Sequence, residues 1–126
     1  MKLLLAVAAG GALGAVGRYL VASQIGHWLG TGFPYGTLTV NVVGSFVMGA
    51  LIEVMAIAWS PSPELRAFLV VGVLGAFTTF STFSLDVMLL VERHQTWASF
   101  LYVIASVCLS VGGLFAGLRL TRLILT

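Results

Sequence analysis

Gly72-Val73-Leu74-Gly75-Ala76-Phe77-Thr78-Thr79-Phe80-Ser81-Thr82-Phe83-Ser84 is the stretch on which the reading of this sequence turns. It lies in the middle of a long apolar run, residues 67–91. Within thirteen positions it gathers five hydroxyl residues and two glycines. The run is longer than the roughly 20 apolar residues a bilayer-spanning helix needs. Its midpoint, near Thr79, therefore falls at the bilayer midplane. Glycine weakens a helix there, and Ser and Thr offer the backbone competing hydrogen bonds. Two readings are open. In one, the helix is unbroken and the hydroxyls bond back to the preceding turn; composition alone leans this way. In the other, the helix breaks near Gly75–Thr78. Non-helical backbone at that depth survives only when buried in protein or facing a watery cavity, and freed carbonyls can coordinate a cation.

Three further runs of spanning length flank this one, at residues 3–25, 37–59 and 97–125. The connecting segments 26–36, 60–66 and 92–96 hold all three prolines and several charges, as breakers should. The sequence thus predicts an all-α membrane protein of one domain, residues 1–126, with four transmembrane helices. The composition agrees: 60% of the 126 residues are hydrophobic and 8% charged, against about a quarter charged in soluble domains. The first run, Leu3–Ala22 and beyond, reads as a retained span rather than a cleaved signal, because no clear small-residue cleavage site follows it. Trp28, Tyr35, Trp59 and Trp97 fall near span ends, where amphipathic rings favour the headgroups. Barrel strands would alternate every second residue, and these runs do not.

Four spans place both termini and the second loop on one side. That side carries Lys2, Arg66, Arg119 and Arg122, against Arg18 and Arg93 on the other. Such a mild bias toward cytoplasmic termini is compatible with one fixed orientation or with insertion both ways. Small residues spaced by four, Ala6/Gly10/Gly14 and Gly113/Gly117, allow close helix approach in lipid.

Charge and motif exclude several functions. A net charge of +2 without a basic stripe gives no reason to expect nucleic acid. His27 and His94 lie in loops without a second ligand at metal spacing, and no nucleophilic triad or carboxylate pair can be assembled at one depth. The chain reads as no enzyme. Cys108, alone in an apolar run, reads as a packed thiol. Intramembrane charges remain: Arg18 and Asp86 lie toward span ends on one side, free to pair or to snorkel, and Glu53 lies about 9 Å inside the opposite end of its span. Each admits a structural or a functional reading. No span has an acidic residue at its middle, which argues against a proton-coupled pump. Asn41, one turn into the second span, is an expensive amide without partners. Tyr102, Ser106 and Ser110, spaced by four, form one hydroxyl stripe. They serve either interhelical hydrogen bonding or a narrow polar track. Phe80 and Phe83 are core packing, or present positive ring edges to an anion.

Residues 75–84 resemble the third-span signature of the Fluc (CrcB) family of fluoride channels, usually G-G-x-[TS]-T-F-S-T-F. Gly36-Thr37-Leu38-Thr39-Val40-Asn41 resembles its second-span opening, G-T-L-x-x-N. Gly10-Gly11-Ala12-Leu13-Gly14 followed by Arg18 is similar to its first span. The resemblance covers essentially the whole chain, and the third-span motif is the specific part. It implies a third helix broken near its middle and an antiparallel, dual-topology homodimer in membrane lipid, in the cell inner (plasma) membrane. That dimer would conduct fluoride passively and export it, giving resistance to fluoride toxicity. It further implies that Phe80 and Phe83 offer ring edges to fluoride, that Asn41, Tyr102, Ser106 and Ser110 supply donors, and that Ser81 and Thr82 belong to the same lining. Backbone carbonyls of Gly75 and Thr78 from both subunits would hold a structural Na+ ion, and Arg18 would make a vestibule electropositive. Two departures stand out. Ala76 replaces the usual second glycine, and Asp86 stands where relatives often have Glu. Two rival readings are a small four-helix multidrug-type exporter, which would carry a Glu in its first span, and a membrane assembly subunit without transport.

Overall fold

Helices begin and end in this protein where the local chemistry stops or starts them. The computed structural model describes residues Met1–Thr126 and is entirely helical. α1 (Lys2–Leu29) runs four residues past the expected end and stops at Gly30, whose φ of 84° suits a residue without Cβ. α2 (Tyr35–Ile57) starts directly after Pro34. The third span starts at Pro63 rather than near Ala67. Ser62 Oγ accepts from Leu65 N–H at 3.2 Å, Pro63 occupies the first turn, and Glu64 meets the positive end of the helix dipole. α4 (Thr96–Leu125) completes the chain. All four spans, of 28, 23, 30 and 30 residues, are long and apolar enough to cross a bilayer.

The third span is not uniform. Pro63–Arg66 is α-helical, Ala67–Leu74 is π-helical and Gly75–Phe77 is α-helical again; together these form α3a. Residues 78–80 leave the helix, with Thr78 extended at φ −89°, ψ 160°, and α3b (Ser81–Glu92) resumes it. The interruption is local, since residues 63–92 still make one span. It lies slightly later than the stretch Gly75–Thr78 suggests: Gly75 remains helical at φ −61°, ψ −36°. Glycine permits departure from a helix but does not compel it. The partners that end this one come from other spans, as described below.

Packing follows the small residues. α1 lies against α3a, where a Cβ on Gly10 would overlap the Phe68 carbonyl and one on Gly14 would overlap that of Val73. α2 lies along α4 through a reciprocal contact: Gly49 faces the Leu114 carbonyl and Gly117 the Phe46 carbonyl, each too close for a Cβ. Without a hydrophobic drive in lipid, such backbone proximity is what dispersion forces need. Fourteen residues are buried. Only Val40, Leu74, Leu90 and Tyr102 among them are large and apolar; Thr37, Glu53, Ser99 and Ser106 are polar, and six are glycines. Polar groups inside and large apolar side chains outside is the arrangement that lipid solvation favours. The intramembrane Glu53 is explained here: it is tied to Arg122 of α4 by bonds of 3.1 and 3.3 Å, an ion pair joining α2 to α4.

Candidate functional site

In a continuous helix each N–H donates to the carbonyl four residues back. Around residues 78–80 this pattern is replaced by bonds from other groups. Thr79 N–H donates to Asn41 Oδ1 at 2.7 Å instead of to Gly75 O. Asn41 Nδ2 donates to Thr79 O at 2.9 Å, so one amide pairs with both backbone polar groups of Thr79. Ala76 O accepts from Arg18 Nε at 3.1 Å, and Phe80 N–H, its helical donor, makes no backbone bond. Thr82 N–H donates to Thr79 Oγ1 at 3.2 Å instead of to Thr78 O. Thr78 itself does what the unbroken reading expects of a hydroxyl, with its N–H and Oγ1 reaching Leu74 O at 3.2 and 3.1 Å. The chain nevertheless leaves the helix at that residue. The carbonyls of Gly75 and Thr78 are thereby relieved of their helical donors.

The interruption opens onto a cavity of about 490 Å³, bounded by α2, the third span and α4. Seven of the residues singled out in the sequence line it: Asn41, Gly75, Thr78, Phe80, Phe83, Ser106 and Ser110. The Phe80 and Phe83 rings stand 5.5 Å apart with planes tilted by 48°. Phe80 is 78% exposed, so one wall of the cavity is incomplete within a single chain. Ser106 is buried, and its Oγ has no partner within hydrogen-bond geometry. No Lys, Arg, Asp or Glu lines the cavity. What it offers an anion is hydroxyl and amide donors and ring edges. Whether the residues would suit the Na+ ion that the resemblance implies is a question of donor chemistry. Hard cations take oxygen ligands, and the Gly75 and Thr78 carbonyls are oxygens without helical partners, so the two fit.

Four singled-out residues lie elsewhere. Tyr102 is fully buried, donates its hydroxyl to Asp86 Oδ2 at 3.0 Å, and packs against Phe83 and Phe33 with centroids 5.2 and 5.5 Å away. It thus joins the cavity to the first loop without lining it. Arg18 bonds Ala76 rather than Asp86, and the alternative of an Arg18–Asp86 pair falls away. Ser81 is exposed, its Oγ 3.4 Å from Thr79 Oγ1, and Thr82 contributes the N–H already described. Several lining residues escaped the sequence reading. Ser45 and Met48 lie one and two turns after Asn41, a spacing that would have found them. Val107, Val111 and Leu114 are apolar, with no signal to set them apart from lipid-facing neighbours.

A four-span bundle with an uncharged, largely apolar cavity that carries a few polar side chains and opens at the interrupted helix defines a small polytopic membrane protein. The sequence matches the family described as "CrcB-like protein, Camphor Resistance (CrcB)" over residues 5–118. It is 66% identical to the fluoride-specific ion channel FluC of Rhodospirillum centenum, covering 97% of each chain. Identity is 53% to the FluC of Nitrobacter winogradskyi, covering 96% of each, and 52% to that of Rhizobium meliloti, covering 97% of this chain and 98% of the relative. The chain belongs to the CrcB family.

Proposed function

We infer that this protein is a fluoride-selective ion channel that passively exports fluoride across the membrane and so gives resistance to fluoride toxicity. The observation that carries the reading is the mid-depth cavity. Asn41, Phe80, Phe83, Ser106 and Ser110 meet there without any formal charge. A strongly hydrated small anion entering a dry passage must exchange water for close donors, and a narrow passage excludes larger halides. A proton-coupled exporter would need a titratable group at this depth. The names of the relatives point the same way. Purified protein in liposomes should release fluoride and retain chloride in parallel assays. Equal release of both anions would refute selectivity, and release of neither would favour an assembly subunit.

Finer parts of the proposal concern assembly. The channel is an antiparallel, dual-topology homodimer in the inner (plasma) membrane, its pores lined by both subunits, Ser81, Thr82 and Tyr102 included, with Arg18 near a vestibule. The open wall at Phe80 supports a second subunit. Carbonyls of Gly75 and Thr78 from the two subunits would hold Na+, which when bound offsets the carbonyls' negative ends beside an anion path. One chain has too few such oxygens to replace a hydration shell. A single cysteine at His94, in a Cys108→Ser background, should be labelled from both sides of native membranes; labelling from one side alone would defeat dual topology. Dimer stability should fall when sodium is replaced by a large organic cation, and unchanged stability would remove the ion from the proposal.

A further inference from the structure

Arg18 does not line the cavity, and no carboxylate pairs with it. Its place is set by the stripe that begins with Gly10 and Gly14. Those glycines bring α1 against α3a so closely that a Cβ on Gly14 would stand 3.1 Å from the Ala76 methyl. Arg18 follows one turn later on the same face, beside the last turn of α3a. Its Nε reaches the Ala76 carbonyl at 3.1 Å.

We propose that Arg18 is a positioning residue of the conduction site, acting through the hydrogen bond from its Nε to the Ala76 carbonyl and not through the guanidinium charge. Ala76 O would otherwise draw Phe80 N–H into the helix. With Arg18 on that oxygen, Phe80 N–H makes no backbone bond and the chain is extended at Thr78. Remove the donor, and the Ala76 carbonyl is left unsatisfied in a medium with no water to replace it. The nearest remedy is Phe80 N–H. Taking it would extend the helix through Phe80, pull the Phe80 ring from the cavity wall, and return Thr79 N–H toward Gly75 O. Arg18 from α1 and Asn41 from α2 thus hold the interruption open from two sides.

The side-chain geometry separates donor from charge. Nε is the fourth atom out from Cα in arginine, and glutamine carries its Nε2 amide at the same position without charge. Methionine has similar length and no donor. The inference rests on the channel reading for its flux arm, so the measurements are fluoride efflux from liposomes and, independently, the sodium concentration giving half-maximal thermal stabilisation in detergent. R18M should lose about tenfold or more in flux, as expected when a buried carbonyl is left without its donor, while R18Q stays within about threefold of the parent. The half-stabilising sodium concentration should rise about tenfold in R18M and stay within about threefold in R18Q. If R18M does not fold, R18Q alone decides. R18Q as impaired as R18M, or reduced by about tenfold on its own, would show that the charge matters and overturn the proposal. Full flux in R18M would overturn it too. A parent without fluoride flux would instead defeat the channel reading, and the sodium measurement would then decide the role of Arg18.

Discussion

Asn41→Ala tests the interruption of the third span most directly. The substitution removes the 2.7 Å bond from Thr79 N–H and the 2.9 Å bond to Thr79 O. Each buried peptide group left without a partner costs about 1–3 kcal/mol, so two orphaned groups in an unrelaxed structure would cost about 2–6 kcal/mol. Relaxation is available, however. Gly75 O is the helical acceptor for Thr79 N–H and lacks that donor here, and α3a is helical up to Phe77. Closing that bond satisfies one of the two groups and brings the expected loss to about 1–3 kcal/mol. Side-chain hydrogen bonds between membrane helices average about 0.6 kcal/mol, which places the outcome toward the lower end. Closing it also straightens the helix through the cavity wall. The variant should therefore lose conduction far out of proportion to stability. Reversible unfolding in detergent gives the first quantity and fluoride efflux the second. Unchanged stability together with full flux would refute the argument that Asn41 holds the break.

Phe80→Ile or Phe83→Ile should each lower fluoride flux by about tenfold with the fold intact, since isoleucine fills similar space without a positive ring edge; full flux in both would make these rings packing alone. Gly117→Val should destabilise α2–α4 packing by about 1–3 kcal/mol through overlap with the Phe46 carbonyl. Gly112→Ala, with nothing within 4 Å of the added Cβ, should cost nothing in the same thermal melt and gain up to about 1 kcal/mol from the stiffer helix. Arg122→Ala strands the buried Glu53 carboxylate. Because Arg122 is half exposed, the cost should be nearer about 1–2 kcal/mol than that of a fully buried pair. Adding Glu53→Gln should recover part of it in a double-mutant unfolding cycle.

The four spans were legible because apolar length is a one-dimensional property. Span ends were less so. Residues 60–66 looked like a loop by their prolines, yet Ser62-Pro63-Glu64 is a helix start whose cap, proline and acid agree. The stripes Gly10/Gly14 and Gly117 could be read as contact faces, but their counterparts could not, because Gly49 faces a backbone carbonyl 65 residues further along. Seven of the residues singled out meet in one cavity since each was polar, aromatic or small where lipid wants neither polarity nor gaps. The π-helical turns at Ala67–Leu74 left no trace in an apolar, unremarkable run. The exact place of the break was also hidden. It depends on Arg18 and Asn41, 58 and 38 residues away in sequence, and no local propensity reports a partner at that distance.

That dependence explains how a helix can be interrupted at the least forgiving depth of a membrane. The polar groups of an interrupted helix need substitutes, and in hydrocarbon water cannot provide them. Here Asn41 serves both groups of Thr79, Arg18 serves Ala76 O, and Thr79 Oγ1 serves Thr82 N–H. Ser84 returns both its N–H and its hydroxyl to Phe80 O, at 2.9 and 3.0 Å, and so restarts the helix. Among the groups left over are the Gly75 and Thr78 carbonyls, the Phe80 and Phe83 N–H groups and the Ser106 hydroxyl. Acceptors and donors among them suit ions of opposite sign. A passage for a bare anion needs donors that no internal acceptor has already taken, and it must keep negative carbonyl ends from facing the anion uncompensated. Fixed cations lining the cavity would solve the second problem and create another, because an anion held by a full charge in a low dielectric does not leave quickly. Neutral donors on the path, with the free carbonyls occupied by the cation proposed above to be shared between two subunits, would satisfy both requirements. The sequence places hydroxyls, ring edges and one amide along the cavity and keeps every arginine off it.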